Sequence, residues 1–81
     1  PCTVLLVEDD HAVRRVAGRA LRAAGYRVLE AGDGESALDV WAAHAREIGV
    51  LVSDVRMPRL RGDALAARLR AERPGLPVVL M

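Results

Sequence analysis

The 81-residue sequence has no lysine and no phenylalanine, and only one tryptophan, one tyrosine and one cysteine. With so few aromatic rings, any core must be aliphatic, built from alanine, leucine and valine. A lone Cys2 excludes an internal disulfide and points to an intracellular setting. No apolar run is long enough to span a bilayer and no signal-peptide pattern appears, so the sequence reads as a soluble, cytoplasmic chain. All twelve basic residues are arginine, and the formal net charge is +1. These arginines are spread along helical stretches among alanines instead of clustering, so direct nucleic-acid binding by this segment is not expected. A hydrophobic fraction of 52% is too high for a disordered chain, and the length allows one domain or part of one.

Apolar runs and helical periods alternate along the chain. Thr3-Val4-Leu5-Leu6-Val7 is a continuous apolar run, the pattern of a strand buried on both faces in a parallel sheet. Glu8, Asp9 and Asp10 follow at once. From His11 to Ala24 the period becomes helical: Val13, Val16, Ala17, Ala20, Leu21 and Ala24 share one face, and Arg14, Arg15, Arg19 and Arg22 occupy the other. Asp10 suits the N-cap and Gly25 the position past the C-cap. Tyr26–Ala31 reads as a second strand, Gly32-Asp33-Gly34 as a turn, and about Glu35–Ala45 as a second helix. That helix buries Ala37, Leu38, Trp41, Ala42 and Ala45, with Trp41 as a core anchor. Gly49–Ser53 is a third strand, ending at Asp54. Val55–Arg61 is a loop. Gly62-Asp63 opens a third helix to about Arg73, with Leu65 and Leu69 inward, and Pro74-Gly75 stops it. Val78–Met81 is a fourth apolar run. The order β-α-β-α-β-α-β implies a parallel sheet with right-handed crossovers.

This order sets a site. If the first and third strands are neighbours, Glu8, Asp9 and Asp54 converge at the carboxyl edge of the sheet, where open α/β folds bind ligands. Converging carboxylates without His or Cys suit Mg²⁺, which takes few protein ligands and accepts phosphate oxygens as well. Asp54 is then placed to act as a nucleophile and form an aspartyl phosphate. Gly32-Asp33-Gly34-Glu35-Ser36-Ala37 also matches the G-x-G-x-x-A pattern of dinucleotide sites. Asp33 and Glu35 would put negative charge where a pyrophosphate must approach, so a glycine turn capping a helix is the better reading. An aspartate-nucleophile phosphohydrolase would need a general acid two residues after Asp54, and Arg56 cannot serve. His11 reads as an exposed residue of the first helical turn.

Val4-Leu5-Leu6-Val7-Glu8-Asp9-Asp10 and Ser53-Asp54-Val55-Arg56-Met57-Pro58, with Gly62 following, resemble the receiver (CheY-like) domain of two-component response regulators. Ala31–Leu38 is similar to that family's entry into its second helix. The resemblance covers the whole chain. It implies a flavodoxin-like, doubly wound parallel sheet of strand order 2-1-3-4, lacking the family's fifth strand and last two helices, so that residues 1–81 form an incomplete receiver domain. It implies Asp54 as the phosphoacceptor in a Mg²⁺-dependent phosphorelay. Asp9 would be a direct metal ligand, Glu8 a ligand through water, and Arg56 the donor of a backbone carbonyl. Met57, Pro58 and Gly62 would shape the loop. The phosphoryl donor would be a histidine kinase or phosphotransfer domain, and an output or kinase domain would lie in the same or another chain. The alternative is a pseudo-receiver acting only as an interaction module.

The pattern also departs from the family. Its Ser or Thr after the fourth strand and its Lys after the fifth have no counterpart here, and no other lysine is present. Weak phosphorylation and an incomplete switch are therefore expected of this segment. A fourth strand left as an exposed edge is expected to favour self-association.

Overall fold

A computed structural model describes residues 2–81. Strand β1 (Thr3–Val7), helix α1 (His11–Ala23), β2 (Arg27–Ala31), α2 (Gly34–His44), β3 (Ile48–Ser53), α3 (Gly62–Glu72) and β4 (Val78–Leu80) follow in that order. All strand pairs are parallel, and the sheet order is β2-β1-β3-β4. The four-stranded 2-1-3-4 arrangement expected from the sequence is the one observed.

Strand β1 is buried along its whole length because it has a neighbour on each side and helices on both faces. Its side chains alternate between two apolar clusters, as a pleated strand requires. Leu5 and Val7 join Trp41, Leu51, Leu65 and Leu69 beneath α2 and α3, while Val4 and Leu6 join Val28, Ala17 and Leu21 beneath α1. Strand β3 starts one residue earlier than the apolar run suggests. Its pairing with β1 shifts between Thr3 and Val4, so Gly49 is an extra residue, and Ile48 returns to the larger cluster beside Leu51. This is a bulge, and such two-against-one pairings re-aim the residues around them.

Local signals explain the helix ends. The Asp10 carboxylate accepts from the Ala12 and Val13 N–H groups at 2.9 and 3.1 Å. Gly25 takes φ +98°, the left-handed turn that ends α1. Asp33 caps α2 by accepting from the Ser36 N–H at 2.7 Å, which accounts for the Gly-Asp-Gly turn without any nucleotide. Trp41 is a buried anchor whose indole Nε1 donates to Glu72 at 3.2 Å. The Arg73 guanidinium lies over its ring, 4.8 Å from the centroid.

Two expectations about helix faces are corrected. In α1 only Gly18 is buried; Val13 and Val16 are 46% and 69% exposed, and Ala20 and Ala24 are exposed too. The helix lies over β1 and β2, so only Ala17 and Leu21 of its apolar stripe reach the sheet. Arg14, assigned to the outer face, instead folds back toward Glu30 on β2. In α2, Ala42 is exposed, and Val40 takes its place against the core. The outer edge of β4 is open, and Val79, Leu80 and Met81 are about half exposed. Among the described residues, no helix is long and apolar enough to cross a membrane.

Candidate functional site

The parallel pairing that builds the sheet also gathers the acids. Strands β1 and β3 are adjacent and in register at their ends, Val7 opposite Ser53. The Asp54 N–H donates to the Val7 carbonyl at 3.0 Å, which fixes the first residue past β3 beside the end of β1. The Glu8 N–H donates to the Ala31 carbonyl at 3.1 Å, which ties the first residue past β1 to the end of β2. Glu8, Asp9 and Asp54 consequently each offer a carboxylate oxygen within 4.8 Å of one another. Glu8 is buried, Asp54 half-buried and Asp9 exposed, so the cluster opens to solvent on one side.

Three carboxylates this close repel strongly. Burial pushes the Glu8 carboxyl above its ordinary range; the Asp10 N–H pulls it back in part, and a hydrogen bond with Asp9 and the charges of Asp54 and Asp9 push it up further. The Asp10 N–H lies 3.2 Å from Glu8 Oε2. An oxygen-only set that is crowded, partly desolvated and open on one side fits a small hard dication that keeps some of its water. No helix-capping role explains Glu8 or Asp54, whereas Asp10 is accounted for as the α1 cap.

The loop after β3 frames Asp54. Asp54 Oδ1 accepts from the Arg56 N–H at 3.2 Å, and Oδ2 has no hydrogen-bond partner among the described residues. The exposed Arg56 side chain is likewise unpaired among them. Met57 is buried and pins the loop to the core, while Pro58 is exposed. Arg59 takes φ +70°, an uncommon conformation for a residue with a side chain, and its guanidinium pairs with Glu35 at 3.2 Å. The loop closes back on the strand end: the Gly62 N–H donates to the Val55 carbonyl at 3.0 Å, and Ser53 Oγ donates to the Asp54 carbonyl at 2.9 Å.

The sequence of this whole region matches one family. Residues 4–81 fit the family model of the response regulator receiver domain. The chain belongs to that family. This receiver domain is 41% identical over 81 residues to the probable transcriptional regulatory protein TcrX of Mycobacterium tuberculosis, covering all of this chain and 34% of TcrX. It is 42% identical over 79 residues to the sensor kinase CckA of Brucella abortus, covering 98% of this chain and 8% of CckA. It superposes on the solved receiver domain of the hybrid histidine kinase CckA with a TM-score of 0.89 and 47% identity, covering 96% of this chain and 72% of that one. The receiver domain thus spans about a third or less of the curated relatives it matches first. The family is one of signalling phosphoacceptor domains in two-component systems, and this chain is such a receiver domain.

The sequence brought forward Glu8, Asp9, Asp54 and Arg56, and the receiver fold places all four at one edge. It did not bring forward Arg14. This arginine sits at helical spacing like its neighbours Arg15 and Arg19, and the only signal was its place in the first turn of a helix, where a cation is unfavourable.

One stability consequence follows from the acid cluster. Because the folded chain holds the Glu8 proton more tightly than the unfolded chain does, metal-free stability falls as pH rises from the ordinary glutamate range through the raised one. Glu8→Gln removes that penalty. At neutral pH in a chelator it is expected to melt at a higher temperature than the parent, with the gap closing in acid. A thermal melt at both pH values checks this, and an unchanged or lower melting temperature at neutral pH contradicts it.

Proposed function

We propose that this receiver domain takes a phosphoryl group onto Asp54 from a phosphohistidine. The observation that supports this most directly is the meeting of three carboxylates past β1 and β3, with Asp54 Oδ2 unpartnered among the described residues. A carboxylate oxygen of Asp54 forms the new O–P bond as the donor's N–P bond breaks, and the leaving imidazole nitrogen takes the bonding electron pair. The Arg56 N–H holds the other oxygen and so orients the carboxylate.

The residues fit Mg²⁺. Asp9 and Asp54 would hold it directly, Glu8 through water, and the Arg56 carbonyl would add a neutral ligand. When bound, such an ion neutralises charge on the transferred phosphoryl oxygens. Without it, negative charge at the pocket opposes the approach of an anionic phosphoryl group.

The donor in this reading is a histidine kinase or phosphotransfer domain in the cytoplasm. Output passes to a domain in the same or another chain. That the similar CckA receiver belongs to a hybrid histidine kinase supports a kinase as the donor. Incubation with a small-molecule phosphodonor tests the site without the protein partner. Phosphate incorporation is expected with Mg²⁺ and is expected to fall to background with a chelator. Incorporation that is the same with and without the metal would overturn the assignment of the acid cluster as a metal site.

A further inference from the structure

Helix α1 begins in an unusual way. Its first turn contains no acidic residue, yet it carries Arg14 close to the positive end of the helix dipole, which disfavours a cation. An arginine left in water there would be a small liability. This one is not in water, because its side chain is only 18% exposed.

All three guanidinium nitrogens are engaged. Nη1 donates to the Glu8 carbonyl at 2.8 Å. Nη2 lies 3.0 Å from His11 Nδ1. Nε lies 3.5 Å from Glu30 Oε1 on β2. Glu30 is held from its other side by Arg22, Nη2 to Oε2 at 2.9 Å. The turn after β2 leaves room for this group: a Cβ on Gly32 would sit 3.2 Å from Arg14 Nη1. A planar fork can serve three partners in fixed directions, which a lysine ammonium cannot do with the same geometry.

The backbone of Glu8 is the target that matters. Its N–H is already tied to Ala31, so Arg14 fixes its other end. With both ends fixed, the direction in which Glu8 projects, and the start of the step to Asp9, are set by β2 and α1 together. We propose that Arg14 is a positioning residue for the acid site, holding the Glu8–Asp9 segment in the geometry that receives a divalent cation. The proposal rests on the reading of Glu8, Asp9 and Asp54 as a Mg²⁺ site.

The test is a Mg²⁺ titration followed by amide chemical shifts, with Arg14→Gln compared against Arg22→Gln. Both variants remove one arginine from Glu30, but only the first releases the Glu8 carbonyl. Arg14→Gln is expected to raise the Mg²⁺ Kd by about tenfold, the usual scale for losing a group that orients a metal ligand, and Arg22→Gln by less than about twofold. In metal-free protein, amide exchange at residues 8–10 is expected to speed up in Arg14→Gln and not in Arg22→Gln. If Arg14→Gln does not fold, Glu30→Gln serves as the second variant, with an expected loss of roughly threefold. A folded Arg14→Gln protein that binds Mg²⁺ as tightly as the parent overturns the proposal and leaves the metal site standing. Equal weakening in the Arg14 and Arg22 variants also overturns it, because general packing would then account for both. A parent protein that binds no Mg²⁺ overturns the metal reading itself, and the positioning role with it.

Discussion

Asp54→Asn is expected to reduce phosphate incorporation by at least about a thousandfold, to background, because it removes the nucleophile instead of weakening it. The substitution is nearly isosteric. The amide keeps an oxygen that can accept from the Arg56 N–H, so the loop that Oδ1 anchors at 3.2 Å should remain in place. One of three crowded charges is also lost, so the metal-free variant should be no less stable than the parent. Loss of labelling in a fully folded protein is therefore the expected combination. Labelling that persists at the parental rate would mean that another residue accepts the phosphoryl group. Labelling lost together with the fold would not match the geometry, since nothing in the packing around Asp54 depends on its second oxygen.

The second large effect concerns a residue with no functional group at all. Gly62→Ala is expected to destabilise the protein by about 3 kcal/mol or more, at the upper end of what overpacking does, because the obstacle is backbone. A Cβ at Gly62 would fall well inside contact distance of the Asp54 carbonyl oxygen, and 2.9 Å from both its carbonyl carbon and Ser53 Oγ. The only ways to relieve that are to lift the start of α3 off the end of β3 or to displace Asp54. Either would break the bond from the Gly62 N–H to the Val55 carbonyl and open the loop that frames the site. Gly75→Ala is the matched control: no atom lies within 4 Å of its would-be Cβ, so a change within about 1 kcal/mol is expected. Urea unfolding of both variants checks the pair. A Gly62→Ala protein as stable as the Gly75→Ala protein would show that the loop can move aside at little cost.

Much of this arrangement is legible in the sequence. The run Thr3–Val7 has no polar break, which only a central strand tolerates, and β1 is central. A central β1 with right-handed crossovers still leaves open which strand lies on its second side. The resemblance to receiver domains supplies the 2-1-3-4 order, and in that order the acids past β1 and β3 meet. Once that order is given, the convergence of Glu8, Asp9 and Asp54 needs no knowledge of side-chain packing. The Asp10 cap is legible because capping is settled within three residues of chain, whereas Gly32-Asp33-Gly34 reads as a glycine turn and the structure shows that the Asp33 side chain makes the cap.

What was not legible depended on where each helix lies over the sheet. The periodicity of α1 correctly marks a helix, but it cannot say which part of a broad apolar stripe has strand beneath it. Val13 and Val16 belong to the stripe and remain exposed, while Ala17 and Leu21 reach the sheet. Arg14 was missed because a long side chain can leave its own face: its partner Glu30 is sixteen positions away along the chain and on a different element. The bulge at Gly49 was hidden because a one-residue register shift leaves no trace in an apolar run. Trp41 was correctly read as core, whereas the Arg73 guanidinium over its ring and the Glu72 carboxylate at its Nε1 come from the far end of α3.

The central claim is that the carboxylate at the end of β3 is where the phosphoryl group goes. Its most direct measurement is to incubate the protein with Mg²⁺ and a small phosphodonor, trap the acyl phosphate by borohydride reduction, and locate the modified residue by peptide mass mapping. The expected result is a single modified position, Asp54, with none at Glu8 or Asp9. Modification at Glu8 or Asp9 with Asp54 untouched would contradict the account.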